Sequence, residues 1–579
     1  AQPRDARRRG GQRRRAAGLL PRHRRAVTLP QRRIGLLFAA FLVLLAIGVL
    51  RTLWLGVVRA DDLEAAALSQ QVDELEVPAP RGAIVDRNGT ELAVSAPAVD
   101  VIANPHQVKN AVVLAGQLAP LLGRPEPEVL EDLTREDTGF VYLARRLQAQ
   151  RARDIGALGA LGLTITDTNR RVYPRDTLAS QLLGAVGTDG EGLFGLEMAR
   201  EEGLGGDDGR RRVVRDALGD TISVREEEVA EPGETVRLTI DAAIQGQVED
   251  VLARVGERYS PKGATALVMR PQTGELLALA NWPRVDANQW QRAPDFARRN
   301  RAVSSVYEPG STFKAFTVAG ALEAGAVEPG TMFDLPPSIQ VADRVINESH
   351  PRGAVTLSVT EILAQSSNVG TIKIGQELGA SRFDRWVRRF GFGAPTAVDL
   401  PGEEAGLVLG LDRYSGSSMG NLPIGQGVAV TPMQLAAGYA AIANGGVLRP
   451  PRVVAAIGGE DVPTPRGERV ISPQTAAQVR TMLKGVLAPG GTAPEAAIAG
   501  YPLAGKTGTA NKIDEETGEY SESRYIASFA GFAPADEPEL LITVMVDEPQ
   551  GGFYGAEVAA PAFQEIAAFT LPYLKIPPR

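Results

Sequence analysis

Seventeen apolar residues run without interruption from Ile34 to Leu50, and after Arg51 the apolar TLWLGVV carries the stretch to Val58. That length reaches the lower bound for a membrane span, and apolarity on every side separates it from a core helix, which shows one apolar stripe. A cleaved signal peptide would have a shorter apolar run and an A-x-A-like exit, whereas here the exit is Val57-Val58-Arg59. The pattern predicts an uncleaved membrane helix over residues 34–58. Beyond it, Asp61 to Glu76 predicts a polar helix. PAPRGAIVDRNGTELAVS alternates apolar and polar positions on both sides of Arg87-Asn88-Gly89, which predicts a hairpin. Residues 105–160 set Leu, Val and Ala at helical spacing and predict helices. RVYPRDTLASQLLGAVG and GLFGLEMAREEGLGGDDGRRR follow, their glycines marking turns and short helices. The charged stretch from Arg225 closes on Pro232-Gly233, a domain boundary by its turn chemistry.

From VRLTID onward the texture changes. Ala242 to Tyr259 has helical spacing. A hairpin is expected from Ala264–Met269 and Glu275–Ala280 around a Pro271-Gln272-Thr273-Gly274 turn. Near the end, Tyr525–Gly531 and Glu539–Val546 predict two strands, and Ala560–Thr570 a closing helix. Strands and helices segregated in this way indicate an α+β domain with a largely antiparallel sheet and helical insertions. The chain shows no internal repeat. The expected organisation is a tail (1–33), a membrane helix (34–58), a membrane-proximal domain (59–233) and a C-terminal domain (234–579).

Charge gives this layout a direction. Residues 1–33 carry twelve arginines and one acidic residue, Asp5, while the remainder is strongly acidic enough to leave the chain at −7. Arginines stay on the cytoplasmic side, so the tail is expected inside and everything after residue 58 outside. Topology accounts for the basic tail without nucleic-acid binding. There is no cysteine, which removes thiol catalysis, disulfides and cysteine-ligated metal. The three histidines, His23, His106 and His350, form no metal-binding spacing and no Ser-His-Asp pattern, and solvated positions suit the last two. No metal or cofactor is called for.

Three short stretches carry the chemistry. In YEPGSTFKAFTVAGALEAG, Pro309-Gly310 is a turn and Ser311 starts a helical pattern. A helix N-terminus favours developing negative charge, and Lys314 stands one turn further along the same face. A desolvated, neutral lysine can serve a serine as base where no histidine is available. In SSNVG, Ser366 offers a hydroxyl and Asn368 a carboxamide, groups suited to passing a proton and holding a peptide amide; a polar helix junction reads equally well there. Lys506-Thr507-Gly508-Thr509, on an alternating strand, can fix a carboxylate, and Gly508 allows a close backbone approach. The strand's edge can pair with an extended peptide. The stretch GYPLAGKT, Gly500 to Thr507, also satisfies the phosphate-loop pattern G-x-x-x-x-G-K-[ST], and VMVDE resembles a Walker B strand. Yet Pro502 sits inside that loop, Gly508, Thr509 and Asn511 start a helix poorly, no parallel βαβ order is present, and nucleotides are cytosolic. The strand reading of K-T-G is therefore preferred to an ATPase.

With YEPGSTFK, SSNVG and GKTGTA in this order, the chain resembles the class B penicillin-binding proteins, the peptidoglycan D,D-transpeptidases. RGAIVDRNGTELA and YPRDTLASQLLGAVG resemble that family's pedestal, of the dimerisation type. RNRAVSSVYEPGSTFK, IGQGVAVTPMQLAAGYAAIANGG and GGFYGAEVAAPAFQEIA resemble its catalytic domain. No glycosyltransferase stretch precedes the pedestal, which points away from the class A relatives.

The resemblance implies that Ser311 attacks the carbonyl between two terminal D-alanines, with Lys314 taking its proton, although the superfamily leaves the identity of the base open. It implies an oxyanion hole from the N–H groups of Ser311 and Thr509. Ser366 would relay a proton, Asn368 orient the peptide, and Lys506, Thr507 and Thr509 hold the carboxylate beside Gly508. SSNVG is closer to the division-specific FtsI type than to the elongation type, the alternative. Expected partners are stem peptides on glycan derived from lipid-linked precursor, an FtsW-type glycan polymerase, and other division proteins of the bacterial cytoplasmic membrane. A β-lactam sensor shares the serine domain but lacks this pedestal and single anchor.

Overall fold

The computed structural model describes residues 29–63, 72–215, 221–514 and 516–578. Most of the arginine-rich tail, residues 1–28, lies outside the described residues. Two compact units divide the chain, one of residues 1–75 and 211–227 and the other of residues 76–210 and 228–579.

In the first unit, helix Leu29–Leu53 passes into a wider π-type turn, Trp54–Val58. Among the described residues Arg32–Val58 is the one helix long and apolar enough to cross a membrane, and none of its apolar window is buried by protein. The polar helix expected over Asp61–Glu76 is not what forms at its far end. Val72–Val77 is a strand, the outer member of a three-stranded sheet with Gly209–Arg215 and Thr221–Glu228. Its partners are more than a hundred residues away, so pairing that no local pattern reveals decides the outcome. Residues 64–71 of that expectation lie outside the described residues.

In the second unit, the anticipated hairpin around Arg87-Asn88-Gly89 joins Ile84–Val85 to Glu91–Ala103. Helices Ala111–Leu122, Glu126–Leu133 and Ala149–Gly156 fall where helical spacing placed them. Val141–Gln148, expected to be helical, is a strand antiparallel to Glu91–Ala103, with Val141 and Leu143 buried and Tyr142 between them exposed. A period of two is present in those residues, and the long neighbouring strand selects it. Val236–Leu238 pairs parallel with Ile84–Val85 on one side and antiparallel with Val454–Ile457 on the other. One sheet therefore runs from the N-terminal segments of this unit into the C-terminal ones.

The core of the unit is the five-stranded sheet foreseen as antiparallel, in the order Leu276–Trp282, Gly263–Met269, Leu540–Asp547, Tyr520–Ala533, Ala504–Ile513. Helix Ala242–Tyr259 forms as its pattern dictates. Asp241 caps it by accepting from the N–H groups of Ala243 and Ile244, and Ile244, Val248, Val251, Leu252 and Val255 make the buried stripe. The final helix, Gly555–Tyr573, is longer than residues 560–570 and runs through Pro561 and Pro572. Its buried face of Val558, Phe563, Ile566 and Leu571 outweighs the two prolines. Helix Pro432–Ala443 is buried at every position. Against it and helix Lys314–Glu323 lies an aromatic cluster in which Phe316 is 4.8 Å from Phe392 and 5.2 Å from Tyr439, centroid to centroid.

Candidate active site

Ser311 does not open an α-helix directly. It sits in a 3₁₀ turn, Gly310–Phe313, and the α-helix begins at Lys314. The turn is seated by two glycines. Gly310 has φ +52°, and a methyl group there would lie 2.9 Å from the Thr509 carbonyl. At Gly508 a methyl group would collide with Ser528 Oγ and lie 2.8 Å from Thr312 Cγ2 and 3.0 Å from the Pro309 carbonyl. The close approach Gly508 permits is thus that of the molecule's own Ser311 turn. Tyr439 fixes the turn from the core side, its hydroxyl donating to the Thr312 carbonyl at 2.6 Å.

Lys314 is wholly buried. Its Nζ donates to the Ser366 carbonyl and to Asn368 Oδ1, both at 2.6 Å, and lies 3.3 Å from Ser366 Oγ. Burial pulls this amine down to about 7, with the Glu348 carboxylate acting against the shift. A neutral amine has two N–H groups, which those two acceptors use, and one lone pair left to accept a proton. The Ser311 hydroxyl, half-buried, is not hydrogen-bonded to Lys314 among the described residues. Unliganded sites commonly hold such pairs slack.

Ser366 joins helix Val359–Ala364 to helix Asn368–Leu378, and its φ of +60° is unusual for a residue with a side chain. Ser367 caps the second helix, accepting from the Gly370 N–H at 2.9 Å. The polar helix junction and the candidate hydroxyl thus lie in the same residue. From the edge strand, Lys506 Nζ donates to Ser366 Oγ at 2.8 Å and to the Thr507 carbonyl at 3.1 Å. Lys506 is also wholly buried, and desolvation together with Lys314 holds its amine well below the ordinary lysine range.

Lys506, Thr507, Gly508 and Thr509 all lie on the strand Ala504–Ile513, at the edge of the five-stranded sheet. This stretch is strand, not a loop opening a helix, so the phosphate-loop reading fails on its geometry. Thr507 Oγ1 is 3.0 Å from Thr492 Oγ1, and Thr509 Oγ1 accepts from the Gly555 N–H at 3.0 Å, keeping its own proton free to donate. His350 is exposed, with its ring 5.5 Å from that of Tyr554, and takes no part in the lysine network.

Three residues of this neighbourhood were not singled out by sequence reasoning. Thr492 precedes the edge strand by a dozen positions and carries no motif. Glu308, inside YEPGSTFK, accepts from the Gly427 N–H at 2.8 Å and from the Tyr520 hydroxyl at 3.2 Å, and burial raises its carboxyl above the usual range. Glu348 accepts from Ser367 Oγ at 2.6 Å and from the Asn368 N–H at 2.8 Å. Nothing in NESHPRG marks it.

A serine turn beside two buried lysine amines, on an antiparallel α+β scaffold with one of those lysines on the sheet's edge strand, fits the class of penicillin-recognising serine enzymes. Comparison with known proteins agrees. Residues 264–568 match the penicillin binding protein transpeptidase domain, and residues 76–238 match the penicillin-binding protein dimerisation domain. The chain belongs to the penicillin-binding protein transpeptidase family, in its class B branch. It is 36% identical over 583 residues to penicillin-binding protein PbpB of Mycolicibacterium smegmatis, covering 93% of this chain and 90% of the relative. It is 33% identical to peptidoglycan D,D-transpeptidase FtsI of Escherichia coli, covering 94% and 92%. Among solved structures it is similar to penicillin binding protein 3 of Mycobacterium tuberculosis in complex with aztreonam, with a TM-score of 0.69, 33% identity, and coverage of 87% and 98%.

Proposed function

We propose that the chain is a membrane-anchored peptidoglycan D,D-transpeptidase that works through an acyl-enzyme on Ser311, in septal wall synthesis. The observation that supports this most is one hydroxyl, Ser366, bonded by two wholly buried lysine amines beside the Ser311 turn. Ser311 Oγ attacks the carbonyl between the terminal D-alanines of a stem peptide, and neutral Lys314 takes its proton. A new ester C–O bond forms. As the peptide C–N bond breaks, the proton passes through Ser366 to the departing D-alanine amine. The N–H groups of Ser311 and Thr509 hold the oxyanion. Asn368 orients the peptide, and Lys506 with the Thr507 and Thr509 hydroxyls binds the terminal carboxylate. An amine of a neighbouring stem then forms the new C–N bond, Ser311 leaves with a proton returned to its oxygen, and the cross-link is made.

The apolar helix, the arginines before it and the FtsI relative support a single span with the tail inside and the remainder outside. On this reading residues 59–233 are the pedestal, residues 234–579 the catalytic domain, and an FtsW-type polymerase the membrane partner. The nucleophile is tested by Ser311→Ala. It is expected to keep the melting temperature of the parent and to lose all covalent labelling by a fluorescent penicillin. Labelling that persists in the mutant would refute the assignment.

A further inference from the structure

Glu348 lies in the irregular segment between strands Arg344–Asn347 and Val355–Ser358, yet its side chain is only 5% exposed. Such a segment normally turns its charges to water. Here the carboxylate points inward and both its oxygens accept hydrogen bonds. Oε1 accepts from Ser367 Oγ at 2.6 Å and from Arg352 Nη2 at 2.5 Å, and Oε2 accepts from the Asn368 N–H at 2.8 Å. Asn368 is gripped a second time, its Nδ2 donating to the Asn347 carbonyl at 3.0 Å. With both donors of this residue tied to one loop, Oδ1 is left aimed at Lys314 Nζ, 2.6 Å away. Glu348 thus reaches the lysine through one intervening side chain, and its negative charge acts on that buried amine. The charged groups facing Lys314 are Lys506 from the edge strand and Glu348 from this loop, the latter partly neutralised by Arg352.

We propose that Glu348 is a positioning residue for acyl transfer: its carboxylate fixes the Ser366–Asn368 turn against Lys314 and supplies the negative charge that faces that buried amine. The inference rests on the acyl-transfer reading given above. It has a directional consequence. Without the anion, Lys314 is neutral down to lower pH, because an opposite charge nearby favours the protonated amine.

The test is the second-order rate of acylation by a fluorescent penicillin, measured from pH 5 to 10 on the full chain in detergent, with melting temperatures alongside. For the parent the rate should rise with pH around a midpoint near 7, where Lys314 loses its proton. Glu348→Gln should move that midpoint to lower pH and lower the plateau by roughly tenfold, what one charge-assisted hydrogen bond is worth. Glu348→Asp, which keeps the charge and shortens the reach, should lower the plateau and leave the midpoint in place. It also keeps the proposal testable if the glutamine variant folds poorly. An unmoved midpoint in a folded Glu348→Gln variant overturns the proposal, and so does a midpoint that shifts equally in the aspartate variant. A parent chain that is not labelled at all overturns the transpeptidase reading along with it.

Discussion

Ser366 holds a left-handed backbone, which costs a residue with a side chain on the order of 1 kcal/mol. The conformation presents its hydroxyl to Lys506 at 2.8 Å while its carbonyl accepts from Lys314 at 2.6 Å. On the proposed reading, truncating Lys506 has two effects: the hydroxyl loses its donor, and an incoming carboxylate loses the amine that would bind it. Lys506→Ala should slow acylation by carboxylate-bearing β-lactams by about a hundredfold, the worth of two to three kcal/mol in hydrogen bonds to charge. ATP added to the parent chain should leave its melting temperature unchanged, whereas tight binding to the folded state would raise it. A clear ATP-dependent rise would restore the nucleotide reading. Residue identity made this much legible in advance. Ser311, Lys314, Ser366, Asn368 and Lys506 each belong to a short motif, and the structure brings Lys314, Ser366, Asn368 and Lys506 into one hydrogen-bonded group. Glu348 belongs to no motif. Its place in the site depends on a loop folding back over the Ser367 cap, a contact set by the fold alone.

The edge strand Ala504–Ile513 organises the site at the next scale, because the Ser311 turn rests on the flat spot left by Gly508. Gly508→Ala forces a methyl group against Ser528 and within 2.8 Å of Thr312. Overpacking of this kind costs about 1–3 kcal/mol. The expected outcome is a lower melting temperature together with an acylation rate reduced even where the protein is fully folded. A variant melting and reacting like the parent would mean the turn is not seated there. Elements whose own residues state their period were readable. Helix Ala242–Tyr259, the hairpin Gly263–Met269 with Leu276–Trp282, and the strands at Tyr520–Ala533 and Leu540–Asp547 all fall at or near their predicted places. The polar stretch ending at Glu76 and the apolar residues of Val141–Gln148 both allow a helix, and strands distant in sequence make Val72–Val77 and Val141–Gln148 strands instead. The closing helix outran its prediction since prolines stop a helix only when packing does not hold it.

At the scale of the whole molecule, the proposed division role makes the membrane helix more than an anchor. Helices in lipid associate by side-chain packing, so the faces of this span would select a polymerase partner. Replacing residues 34–58 with an unrelated membrane helix should preserve insertion and penicillin labelling but abolish septal localisation and co-purification with the polymerase. Depletion of the native protein should give filaments. Swollen, rounded cells would instead assign it to elongation, with the chemistry at Ser311 unaffected. The strand Val236–Leu238 bears on how such a partner could act. It is stitched by backbone hydrogen bonds to Ile84–Val85 and to Val454–Ile457, and Arg87 N–H adds a bond to the Ile240 carbonyl at 2.9 Å. Residues on both sides of Pro232-Gly233 are thereby joined by backbone pairing within one compact unit. A partner gripping residues near Ile84 would load their seven-stranded sheet directly, and Thr239, whose hydroxyl donates to the Leu276 carbonyl at 2.6 Å, would hand the load on to the five-stranded sheet that carries Lys506.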